Sequence, residues 1–162
     1  MQSGYFLLLA LTCAPCPVTY SIPSDEKTLV QRGPSTYSPS TIRLNSPLLE
    51  SISDSSWIWE SNLDTTGPYT FVRTFKLVES ALAALTSLKL SVFADDLFSV
   101  VFNGVLIEGE WKRGLDALSQ YELKAYALGS SQGLGVRENR LEIPVKNGAG
   151  WVGLRFRLDF IV

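Results

Sequence analysis

The sequence predicts an all-β fold, an antiparallel β-sandwich, and three observations carry that prediction. Short apolar–polar alternations recur from residue 57 to 162, turn residues separate them, and no helices of βαβ length alternate with them. A chain of 162 residues, 46% apolar and 19% charged, can bury one core and is not disordered by composition.

Residues 69–77 (YTFVRTFKL) place Tyr69, Phe71, Phe75 and Leu77 on one side and Thr70, Thr74 and Lys76 on the other. Leu88, Leu90, Val92 and Ala94 alternate with Ser87, Lys89, Ser91 and Phe93. Phe98, Val100 and Phe102 then run into Asn103-Gly104, with Val105 and Ile107 beyond. Asn-Gly between alternating runs predicts a hairpin, because a type I′ turn needs positive φ at both central residues. Leu141, Ile143 and Val145 alternate with Arg140, Glu142 and Lys146. In the last strand Val152, Leu154, Phe156, Leu158, Phe160 and Val162 face one way, and Arg155, Arg157 and Asp159 the other. Leu115, Leu118, Tyr121, Ala125 and Leu128 follow helical spacing and predict a short helix or an irregular crossover.

The chain before residue 57 differs. Residues 5–14 (YFLLLALTCA) fall short of the roughly 20 apolar residues a bilayer span needs and match the apolar region of a secretory signal peptide. Residues 1–16 are therefore assigned to a leader and the protein to the secreted class, with a core strand or N-terminal helix as the alternative. Cys13 and Cys16 form a C-x-x-C, but no βαβ pattern follows, and removal of a leader takes one or both. Between 17 and 56, Ser, Thr and Pro supply 19 of 40 residues, which predicts a linker or an extended lead-in, with room for one edge strand in which Ile42 and Leu44 point the same way. The folded domain is expected to span 57–162.

Charge and composition exclude several function classes. Fourteen Lys and Arg against sixteen Asp and Glu leave a net charge of -2, without the basic stripe of a nucleic-acid binder. The sequence has no His, which removes Ser-His-Asp and Cys-His catalysis and His-based metal sites. Residues 129–133 (GSSQG) match G-x-S-x-G, but without a His, a preceding strand or a following helix they read as a loop. Glu108 and Glu110 share a side if a strand continues there, and could supply a glycosidase's carboxylate pair or a solvated edge. Asp95-Asp96 ends one apolar strand just before the next, a polar turn or an oxygen-rich site for a sugar hydroxyl or Ca²⁺. Trp57 and Trp59 (WIWE) share a face if the segment is a strand, and at least one is expected to pack. Trp111 sits among charges and glycine in EGEWKRG, which predicts a loop, and Trp151 lies in NGAGW. An exposed indole suits the apolar face of a pyranose.

Taken in order, W-x-W, GPYTFVRTFKL, LKLSVFADDLFSVVFNGVLI, a Trp, YELKAYAL, ENRLEIPVKN and AGWVGLRFRL resemble the galactose-binding-like jelly roll. The likeness is to the carbohydrate-binding modules of α-L-rhamnosidases and related glycosidases in particular, and covers 57–162. It implies a non-catalytic, lectin-like module that holds a glycan at the loops of one end, sometimes with calcium. Asp95 and Asp96 match the A-D-D/N element, Asn147 the Asn that closes the penultimate strand, and Trp111 the stacking Trp. Asp95, Asp96 and Asn147 are also the residues that would take calcium. The sequence departs from the pattern at Asp96, where Asn is usual, at the Phe before Asn103, and at Glu138, which replaces a Gly. The expectation is therefore a secreted, non-enzymatic glycan binder that requires no cofactor and spans no membrane. The alternatives are a structural or protein-interaction domain and, third, a carboxylate-based glycosidase.

Overall fold

The computed structural model describes residues 18–42, 52, 54–60, 67–94, 97–113, 119–122, 134–136, 138–147 and 153–162, with the backbone alone at 67, 108–113 and 119–122. Its elements are β1 (Thr19–Pro23), β2 (Leu29–Arg32), β3 (Ser35–Tyr37), β4 (Ser40–Ile42), β5 (Trp57–Trp59), β6 (Gly67–Lys76), α1 (Glu79–Ala84), β7 (Ser87–Ala94), β8 (Leu97–Phe102), β9 (Val105–Arg113), β10 (Ser119–Glu122), β11 (Glu138–Asn147) and β12 (Leu154–Ile161). One sheet runs β10-β7-β12-β5-β4, with β1 also on β12; the other runs β3-β2-β6-β11-β8-β9. Every described pairing is antiparallel. The protein is an all-β sandwich.

Alternation builds the core. Tyr69 and Phe71 of β6, Phe98, Val100 and Phe102 of β8, and Leu141, Ile143 and Val145 of β11 face Leu88, Leu90, Val92 and Ala94 of β7 and Leu154, Phe156, Leu158 and Phe160 of β12. Asn103 and Gly104 have φ of 49° and 80°, the pair of positive angles that the Asn-Gly hairpin requires.

The lead-in reading of 17–56 gives way. Four strands lie there: β1 pairs with β12 over five residues, β2 joins β6, and Val30 is fully buried in the core. Composition misled because these strands are short and three of the four lie at sheet edges, where proline is tolerated. Pro23 ends β1, Pro34 sits in the β2–β3 turn, and Pro39 falls between β3 and β4. The segment after β1 crosses between the sheets. Ser24 N donates to Phe156 O at 2.9 Å, Ser24 Oγ to Ser56 O at 2.6 Å, and Asp25 forms a two-point ion pair with Arg73.

Two further expectations are corrected. Residues 119–122 form β10, not part of a helix, with Ser119 opposite Val92 and Glu122 opposite Lys89; the one described helix is α1. Trp57 and Trp59 are both buried, but in different places. Trp59 packs at 5.1 Å from Tyr69 and 5.4 Å from Phe71 in the main core. Trp57 meets Phe93 edge-on at 5.1 Å in a second cluster with Ile52, on the outer face of the first sheet.

The two ends of the sandwich differ. Beside α1, a groove of about 500 Å³ opens between the sheets, lined by Tyr20, Ile22, Leu77, Val78, Ala81 and Phe160. At the opposite end Asn147 faces Gly67, Lys146 faces Leu97, and Leu97 faces Arg113. The first sheet ends at the same level, with Ala94 and Ile58 on either side of Leu154. From this end leave the connections β5–β6, β7–β8 and β11–β12.

Candidate functional site

Two asparagines mark the two ends of one strand. β11 alternates along its length, so Asn139, Leu141, Ile143, Val145 and Asn147 all point inward. Asn139 is fully buried and satisfied: its Oδ1 accepts from Gly135 N and Asn103 Nδ2, both at 3.2 Å, and its Nδ2 donates to Gly135 O at 2.9 Å. It ties the hairpin to β11 and is structural. Asn147 is 3% exposed, yet neither Oδ1 nor Nδ2 has a hydrogen-bond partner among the described residues. A buried amide without partners costs about 1–3 kcal/mol, so its persistence in a well-packed strand calls for a reason.

The other residues singled out in the sequence fall around it as follows. Trp111 lies within β9, not in a loop, one residue before Lys112, which faces Phe98. Its charged setting misled because β9 is an edge strand, where charge is common. β8 separates β9 from β11, and Lys112 is level with Phe98 and Val145, so the Trp111 backbone lies two strand spacings (~10 Å) across and about three residues (~10 Å) along from that of Asn147. Asp95 and Asp96 lie outside the described residues, but their flanks, Ala94 and Leu97, are at this end. Cys13, Cys16, Trp151 and the 129–133 motif also lie outside the described residues, as do the side chains of Glu108 and Glu110. Among the described residues no group of three or more His, Cys, Asp and Glu could hold a metal ion.

The structure adds a second polar group at the same end. Arg32, at the end of β2, reaches across from one sheet to Glu60, which follows β5 in the other, with Nη1 to Oε2 at 3.8 Å. Its guanidinium lies 5.3 Å from the centre of the Tyr69 ring, a cation–π geometry. Burial, then the hydrogen bond and charge of Glu60, push the Tyr69 hydroxyl up to about 12, against the opposing pull of Arg32. Tyr37 is raised for the same reasons, burial first. It is close enough to feel Glu60, but among the described residues its Oη has no hydrogen bond of ordinary geometry, nor do Glu60 Oε2 and Trp59 Nε1. The local signals were a charge directly after the buried WIW and an Arg before Gly33-Pro34. Neither shows that strands from opposite sheets bring the two together.

This end thus holds buried amide, carboxylate, phenol and indole atoms without a hydrogen-bond partner among the described residues, close to Trp59 and Tyr69. Polar atoms of these types can pair with the hydroxyls of a ligand that reaches them; the described residues include no paired acids facing one another across a cleft.

No protein-family model and no curated protein matches the chain. Among solved structures, it is similar to part of a β-D-glucuronidase from Dictyoglomus thermophilum (TM-score 0.53, 12% identity), over 88% of this chain and 28% of that one. A GH2 β-galacturonidase from Eisenbergiella tayi, bound to galacturonate, gives a TM-score of 0.47 at 11% identity, over 88% of this chain and 24% of that one. A β-glucuronidase from Faecalibacterium prausnitzii gives 0.48 at 10% identity, over 91% of this chain and 32% of that one. At these identities the first likeness is one of fold: the chain corresponds to a β-sandwich segment spanning less than a third of a glycosidase.

Proposed function

We propose that this protein is a non-catalytic carbohydrate-binding domain of galactose-binding-like, jelly-roll type that holds a glycan at the Asn147 end of the sandwich. The observation that carries the reading is Asn147, buried to 3% exposure with both amide atoms unpartnered among the described residues, at the end from which the loops leave. A sugar hydroxyl donates and accepts at once, so a vicinal pair can satisfy both atoms of one amide. In this reading Trp111 supplies a stacking surface and Asp95 and Asp96 accept from hydroxyls. Together with Asn147 Oδ1 the two carboxylates also make an all-oxygen donor set of the kind Ca²⁺ takes. The protein acts outside the cell, with residues 1–16 removed as a leader.

A glycan-array screen with and without a chelator tests this. The wild type is expected to bind a subset of glycans, Asn147→Ala to lose that binding, and Trp111→Ala to weaken it, with thermal melts showing both variants folded. Absence of glycan binding by the folded wild type, or undiminished binding by both variants, overturns the reading. The competing reading, a protein-interaction domain, is favoured by the apolar groove beside α1, where Val78 is 67% exposed and Tyr20 57%. Glycan binding that survives Val78→Arg but not Asn147→Ala separates the two.

A further inference from the structure

We propose that the outer edge of β1 is a self-association surface, on which a second copy of this chain adds its own β1 antiparallel across a two-fold axis at Tyr20. The site lies at the α1 end of the sandwich, away from Asn147, and is independent of the carbohydrate-binding reading. Among the described residues β1 pairs only with β12, so its far side is a free sheet edge. A free edge is a template for another strand unless it is very short, charged or bulged. The other edge strands carry one of these protections. β3 and β4 have three residues each, β9 carries Glu108, Glu110, Lys112 and Arg113, and β10 ends in Glu122. β1 has five residues, none of them charged, and only Pro23 at its end limits it.

The hydrogen-bond phase of β1 shows what this edge offers. Val18 and Val162 exchange both backbone bonds, at 3.0 and 2.9 Å, and Ser24 N donates to Phe156 O at 2.9 Å. Alternation therefore turns the backbone groups of Val18, Tyr20, Ile22 and Ser24 toward β12, and those of Thr19 and Ser21 outward. Pro23 falls on the outward phase, where its missing N–H takes nothing from the pairing with β12. Setting Thr19 of one copy opposite Ser21 of the other pairs the outward N–H and C=O of both residues on both chains. The same register sets Tyr20 against Tyr20 and Val18 against Ile22. Tyr20 and Ile22 border the groove beside α1, and Val18 and Tyr20 are 50% and 57% exposed, so the contact covers apolar surface. Thr19 and Ser21 take the outer face, where Ser21 Oγ donates to Asp159 Oδ1 at 2.6 Å.

The charges of the described residues around this edge do not oppose a second copy. On the outer face Asp159 is paired with Arg157 at 2.9 Å and stands opposite Lys89. Past β1, Asp25 is paired with Arg73, and Glu26 adjoins Lys27. At the groove Lys76 stands opposite Glu138 and three residues before Glu79. Each cation has an anion beside it, so two identical edges meet without a net charge between them.

The test is sedimentation equilibrium of the full chain over a wide range of concentration, with thermal melts to show that each variant is folded. The wild type is expected to pass from the mass of one chain to that of two as concentration rises. Thr19→Pro removes an outward N–H that β12 does not use, and is expected to weaken dimerisation about tenfold or more. Tyr20→Lys sets two cations directly opposite each other and is expected to abolish the dimer, whereas Tyr20→Phe keeps it. The Tyr20 side chain is already exposed, so Tyr20→Lys keeps the test open should Thr19→Pro unfold the chain. A wild type that stays monomeric up to millimolar concentration overturns the proposal. So does association that either Tyr20→Lys or folded Thr19→Pro leaves unchanged. Glycan binding at the Asn147 end is expected to be the same in all three variants, so either reading can fail without the other.

Discussion

At the scale of single residues, Asn139 and Asn147 show how context turns one residue type to two uses. Both are inward on β11, and among the described residues only Asn139 has its amide satisfied. Asn139→Ala is expected to cost about 1–3 kcal/mol, because the Gly135 backbone groups are left unpaired, whereas Asn147→Ala should leave stability unchanged or raised. Chemical denaturation of the two variants checks this contrast. Tyr69 gives a pH dependence. Its hydroxyl is held near 12 in the folded protein, against about 10 in an unfolded chain, so between those values the unfolded state loses a proton that the folded state keeps. Stability should therefore be fully present below pH ~10 and decline as pH rises towards 12, with Tyr37 acting in the same direction. Denaturant midpoints measured from pH 8 to 11.5 should fall less steeply for Tyr69→Phe; an unchanged slope would remove Tyr69 as the cause.

At the scale of elements, β5 is the joint of the molecule. In three residues it sends Trp57 to the outer cluster and Trp59 to the core. The close approach is at Gly153, where a Cβ would lie 2.7 Å from Trp57 Cε3 and 3.4 Å from Ile42 Cδ1. Gly153→Ala should cost about 1–3 kcal/mol through overpacking, read as a lowered melting temperature with near-UV circular dichroism reporting the displaced indole. The elements most legible in the sequence were the long inner ones, β6, β7, β8, β11 and β12, whose alternation repeats often enough to be unmistakable. Those misread were short or marginal. β10 has four residues, and β9 carries charge along a sheet edge, so local composition spoke louder than periodicity.

At the scale of the whole molecule, the boundary at residue 57 is the lesson. A chain beginning at Trp57 would lose the five-residue pairing of β1 with β12, the buried Val30, and the Asp25 partner of Arg73. An unpaired, largely buried guanidinium costs about 3 kcal/mol or more, and exposed core is added to it. The 57–162 fragment is accordingly expected to lack a cooperative thermal transition and dispersed amide resonances; a well-dispersed spectrum would restore the shorter domain.

The sequence by itself determined the fold class and the Asn103-Gly104 hairpin, because strand alternation and positive-φ turns are local properties. Asn147 entered as a candidate only through the family resemblance, and its inward placement came from the structure. Asn139 makes two of its three described side-chain hydrogen bonds with Gly135, four residues upstream, and tertiary structure decided only the third, from Asn103 in another hairpin, and that Asn147 would have none among the described residues. Tertiary structure alone brought Arg32 and Glu60 together, one from each sheet. Hydrogen-bond and ion-pair partnership depends on which strands become neighbours, and residue spacing along the chain does not encode that.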